Sequence, residues 1–135
     1  MEIKKFLDFL PTNFRHEKSF FIQHNLTDFE KISNLSDSDI NEIQRKSQLC
    51  TLNNLKKIRA IAIFKKEIRI SPPNAYILLH CGIGSIKSLS KSTPHELEQK
   101  IGRLERSLRV KTETGITFAV LRKWIKRAQE VSNII

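Results

Sequence analysis

Chain-breaking residues are rare in this 135-residue chain, which holds four glycines and four prolines beside two cysteines, one tryptophan and one tyrosine. So few turn residues exclude the many short hairpins of a sandwich or barrel. β-Branched residues nowhere alternate with polar ones over a long stretch, so strands have no pattern to form from. Cys50 and Cys81 lie on separate apolar stretches without metal-ligand spacing, and no secretory apolar segment precedes them. Both are expected as buried free thiols in a reducing cytoplasm. No apolar run approaches the roughly 18 residues that a bilayer span needs. Catalytic signatures are also missing: His16, His24, His80 and His95 lie far apart, without a carboxylate pair, phosphate loop or nucleophile elbow beside them. The expectation is a soluble cytoplasmic protein that is not an enzyme, with no cofactor, metal or small-molecule substrate and no membrane partner.

What the chain does have is apolar residues at helical spacing. Ile3, Phe6, Leu7 and Leu10 predict a helix over Met1–Leu10, ended by Pro11. The stripe is too short and too weakly basic for a membrane anchor, so it reads as a docking helix (residues 1–11). A second helix is expected over Phe14–His24, stopped at Asn25, which tolerates the left-handed conformation. Thr27 and Glu30 have capping-box spacing before Phe29 and Ile32. Ser36, with Asp37 and Asp39 behind it, opens another helix. Thr51–Phe64 predicts the longest helix of this half, on the stripe Leu52, Leu55, Ile58 and Ala62. Glu67–Ser71 reads as the junction, after which Ser71-Pro72 starts afresh.

The second half centres on Cys81-Gly82-Ile83-Gly84-Ser85, entered from the apolar run Ala75–Leu79. Gly-Ile-Gly between two helices is the turn of a helix-hairpin-helix: the first glycine takes φ > 0, and the apolar residue plugs the core. Ser88 completes a Gly-x-Gly-x-x-x-Ser pattern, in which a small residue lets helices cross closely. Thr93-Pro94-His95-Glu96 is a full helix start, followed by Leu97, Ile101, Leu104 and Leu108. Val110–Gly115 is a polar loop. Thr117 caps the last helix, where Ile116 and Leu121 form a staple and Phe118, Leu121, Trp124, Ile125 and Ala128 face inward.

The two halves match each other. Shifted by 57 positions, Asn25, Leu26, Phe29, Ile32 and Ile40 fall on Gly82, Ile83, Ile86, Leu89 and Leu97. After nine further residues, Thr51, Leu55, Ile58 and Ala62 fall on Thr117, Leu121, Trp124 and Ala128. The fold expected is therefore all-α, with tandem helix-hairpin-helix-like (SAM-like) units at 12–70 and 71–135 packed into one compact domain. Three segments then carry a resemblance: Leu78-Leu79-His80-Cys81-Gly82-Ile83, Pro94-His95-Glu96-Leu97-Glu98-Gln99-Lys100-Ile101, and Trp124-Ile125-Lys126-Arg127-Ala128. Together they resemble a bacterial and plastid domain family of unknown function, built from helix-hairpin-helix-like units and ending in a Trp-Ile-x-x-Ala helix. The resemblance implies an all-α fold related to domains of DNA-repair and replication proteins, and admits the plastid stroma as a compartment. It brings no activity and no functional residues.

Net charge is +10, and its distribution is uneven: residues 1–67 hold 12 basic and 9 acidic residues, residues 68–135 hold 12 and 5. A basic excess in the half with the Gly-Ile-Gly turn points to a polyanion, DNA or RNA. Backbone N–H groups of Gly82, Gly84 and Ser85 are the expected phosphate cradle, with Lys87 and Lys91 beside them. Arg122, Lys123, Lys126 and Arg127 on the last helix are the second set, suited to tracking a backbone without sequence specificity. The alternative is a protein–protein adaptor with no nucleic-acid role, whose basic face meets an acidic partner or none.

Overall fold

A computed structural model describes residues 6–108 and 116–133. Among the described residues every regular element is helical, so the chain is all-α as its spacing predicts. The α-helices are α1 (Arg15–Gln23), α2 (Phe29–Ser33), α3 (Asp37–Lys46), α4 (Leu52–Ile63), α5 (Pro72–His80), α6 (Ile86–Ser90), α7 (Pro94–Leu108) and α8 (Phe118–Asn133). Their starts repeat. Arg15 and Pro72, Phe29 and Ile86, and Asp37 and Pro94 are each 57 positions apart, and Leu52 and Phe118 are 66 apart. In both halves the five-residue helix packs on the last one, α2 on α4 and α6 on α8.

The turns that end α1 and α5 are closed alike. Asn25 has φ +57° and Gly82 φ +85°. Leu26 N–H reaches the Phe21 carbonyl at 2.8 Å and Asn25 N–H the Ile22 carbonyl at 3.2 Å. Ile83 N–H likewise reaches Leu78 at 2.9 Å, and Gly82 N–H reaches Leu79 at 3.0 Å. This paired closure satisfies two carbonyls that the helix end would otherwise strand, and it requires one residue in the left-handed region. Caps recur too: Ser36 and Thr93 oxygens accept from the N–H three residues on, as do those of Thr51 and Thr117.

Four local expectations are corrected. The cap of α2 is Asp28, not Thr27: its Oδ1 accepts from Glu30 N–H at 3.0 Å, because Asp28 holds the extended backbone that a cap needs. Of the helix expected over Met1–Leu10, residues 1–5 lie outside the described residues, and Phe6–Phe9 is a 3₁₀ turn. α4 ends at Ile63, next to the expected Phe64, but the chain stays helical into the expected junction. It runs into a π-helical turn, Phe64–Ile68, that ends on Arg69 at φ +65° and so buries both Ile68 and Ile70. Cys81 is half-buried, not buried, while Cys50 is buried; burial pushes both thiols above their ordinary pKa. The loop expected over Val110–Gly115 lies outside the described residues.

One hydrophobic cluster spans both halves, from Phe14, Phe21 and Ile58 through Phe64 and Ile70 to Leu78, Leu89 and Ala128. Phe14 meets Tyr76 edge-on across the halves at 5.9 Å between ring centroids. The one charged side chain buried among the described residues is Glu17, 1% exposed. Its carboxylate accepts from Thr51 N–H at 3.0 Å and from the Asn54 amide at 3.2 Å, tying α1 to the positive end of α4.

Candidate functional site

The expected phosphate cradle is largely occupied by the protein itself. Gly82 N–H serves the Leu79 carbonyl, and Ser85 N–H donates to the Ser88 hydroxyl at 3.2 Å. Ser88 has a local role in the turn. It closes a capping box with Ser85, whose hydroxyl accepts from Ser88 N–H at 3.1 Å. Gly84 N–H alone of the three has no acceptor among the described residues. Steric need does not explain Gly84 either, because a Cβ there meets only Leu79 Cδ2, at 3.9 Å, an ordinary contact.

The two expected sets of residues line different grooves. Gly84 and Ser85 border a groove whose opposite wall is α4, with Lys56, Arg59 and Ile63. Arg59 in that wall is committed: its Nη2 lies 2.8 Å from Asp37 Oδ1, and its Nη1 donates to the Leu35 carbonyl at 3.1 Å. The same guanidinium holds the Asp37 carboxyl below the ordinary carboxylate range.

Arg122, Lys123 and Lys126 line a second groove together with Pro94, Ala119, Ile125 and Gln129. Lys123 also lines a third, with Arg69, Trp124 and Arg127. The α8 cations therefore share one continuous face, while Gly82, Lys87 and Lys91 line none of these grooves. Lys87 on α6 and Lys91 just after it are exposed, and α6 packs on α8 and is tied to it where the Gln129 amide donates to the Ser90 carbonyl at 3.2 Å. Arg127 is engaged at both ends, with Glu130 at 3.7 Å and the Glu67 carbonyl at 3.2 Å. Arg122, Lys123 and Lys126 are exposed and have no carboxylate partner among the described residues.

Trp124 is in the core as its spacing predicts, 8% exposed, but Phe118 is not: it is 44% exposed at the first turn of α8. Sequence reasoning also missed Pro94, Lys56 and Arg69 as groove residues. Pro94 reads as a helix-start residue, and nothing in its neighbourhood along the chain reveals that α8 lies beside it. Among the described residues no three His, Cys, Asp or Glu side chains gather as a metal cluster, and no helix is long and apolar enough to cross a membrane.

No curated protein and no solved structure matches the chain. The sequence model of a domain of unknown function, DUF4332, matches residues 11–131, from the proline before the first described α-helix almost to the end of the last. That match takes in every groove and every cation described above, and the chain belongs to the DUF4332 domain family.

Proposed function

We propose that this protein is a non-enzymatic pair of helix-hairpin-helix-like units, 12–70 and 71–135, that grips the phosphate backbone of DNA or RNA without sequence specificity. The matched helix starts and the twin left-handed turns support the two-unit reading. The observation that carries the binding reading is that Arg122, Lys123 and Lys126 on α8 have no carboxylate partner among the described residues. Lys56, Arg59 and Ile63 on α4 stand 66 positions before Arg122, Ile125 and Gln129 on α8. In the first half Asp37 neutralises that surface through Arg59; its counterpart in the second half is Pro94, which carries no charge. Arg122, Lys123 and Lys126 are exposed to solvent, and Lys87 on α6 and Lys91 just after it extend the field. The Gly82–Ser85 backbone contributes shape here more than N–H donors, since two of its three N–H groups are used within the turn.

The test is binding of duplex DNA, RNA and single strands at two salt concentrations, comparing the native chain with Arg122→Ala, Lys123→Ala and Lys126→Ala combined. Loss of three phosphate contacts lowers the slope of log K against log salt by about 2.7 on duplex DNA. Lys87→Ala with Lys91→Ala is expected to change it less. An unchanged slope in the triple variant removes α8 as the site.

A second reading has its own support. The groove on α4 is bordered by the turn of the following unit, Gly84–Ile86, so the matching groove on α8 has the shape of a surface that receives such a turn from a protein partner. Protein capture that survives nuclease treatment and high salt, without nucleic-acid binding, favours this adaptor role.

A further inference from the structure

The groove on α8 is not lined by cations alone. Apolar Pro94, Ala119 and Ile125 line it together with the cations Arg122, Lys123 and Lys126. Phe118 begins the same helix, four residues before Arg122 and seven before Ile125, so it shares their side of α8. It is one of the few large apolar side chains that the fold leaves exposed, at 44%. A duplex hides its base faces in the stack and offers such a surface phosphate, sugar and base edges but no base face. An unpaired strand offers phosphates to the cations and flat base faces to an exposed aromatic ring, the pairing that non-specific single-strand binders use.

We infer that the α8 face takes single-stranded nucleic acid in preference to duplex, with Phe118 as the stacking platform for an unpaired base and Arg122, Lys123 and Lys126 as its phosphate contacts. This rests on the phosphate-binding reading above and adds the strandedness of the ligand. Charge complementarity selects this occupant over an apolar helix, for which three exposed cations without a carboxylate partner among the described residues are a poor match. The inference requires nothing of the Gly82–Ser85 turn.

Affinities of the full chain for a mixed-sequence single-stranded DNA, the RNA of the same sequence and the matching duplex test this directly. Native protein is expected to bind either single strand more tightly than duplex. Phe118→Ala is expected to weaken single-strand binding roughly 5- to 150-fold, the range for loss of one stacked base, with the salt slope and duplex affinity unchanged. Phe118→Trp keeps the affinity and adds an exposed indole whose emission is quenched by bound strand. Because Phe118 is exposed, both variants should melt like the native chain, and a melting curve for each confirms that they are folded. Duplex binding as tight as single-strand binding, or a folded Phe118→Ala variant with native single-strand affinity, overturns the inference while leaving phosphate binding intact. Absence of any nucleic-acid binding overturns both, and self-association broken by Arg122→Glu would then identify a second copy of the chain as the occupant.

Discussion

Three of the described residues hold the left-handed backbone, and they differ in how visible they are. Gly82 at φ +85° and Asn25 at φ +57° can be read from sequence, because few residue types take that conformation cheaply. Arg69 at φ +65° cannot, since arginine carries no such preference and is there only because Ile68 and Ile70 on either side are both buried. Gly82→Ala is expected to cost about 1–2 kcal/mol, seen as a lower midpoint in urea. Gly84→Ala is expected to leave that midpoint within about 0.5 kcal/mol of native, since its new Cβ has room. Equal losses for the two would show that Gly84 too is needed by the turn. Glu17 is the other residue to probe. Glu17→Ala strips the acceptors from Thr51 N–H and the Asn54 amide in a buried site, for an expected loss of about 2–4 kcal/mol by denaturant titration. Glu17→Gln keeps one acceptor oxygen and should lose less.

At the scale of elements, cap chemistry marked most helix starts, and its one error is instructive. Thr27 and Asp28 are both competent caps, and the choice between them lies in which one the backbone leaves extended. Phe118 was misplaced for a related reason: a residue at the first turn of a helix sits on the edge of the apolar stripe, where spacing alone does not decide burial. The start of α3 carries a pH dependence. Arg59 beside Asp37, and the Ser36 backbone N–H beside Asp39, hold both carboxyls below their ordinary range. The resulting stability is whole above the unfolded value of about 3.9 and is lost as pH falls through the lowered folded values. Asp37→Asn is therefore expected to flatten the fall of melting temperature below about pH 4. Superimposable profiles for native and variant protein would rule out the Arg59 pair as a contributor.

For the whole molecule, the decisive fact is that a single apolar cluster runs through both halves, with Phe64 and Ile70 joining α4 to α5 and the π-helical turn packing on α8. A half of some 65 residues has little core of its own. Heat or urea is therefore expected to unfold the chain in one step, with Trp124 fluorescence and helical circular dichroism changing together. Two separated transitions would mean that the halves are independent. The same shared core separates the grooves: it turns Gly84 toward Lys56 and Arg59 while leaving the α8 cations on a face of their own. Two sets of residues that the charge distribution suggested as one site are thereby divided.

The chain's own residues determined the helical class, the places where helices end, the 57-position correspondence and the basic excess of the second half. Each depends on a local preference (a cap, a left-handed residue, a period of 3.6) or on counting charge. Tertiary structure alone decided which cation meets a carboxylate from another helix, and that Pro94 and α8 line one groove. Those outcomes depend on distances between segments remote in sequence. Asp37 reaches Arg59 across 22 residues, while no carboxylate among the described residues reaches Arg122, Lys123 or Lys126.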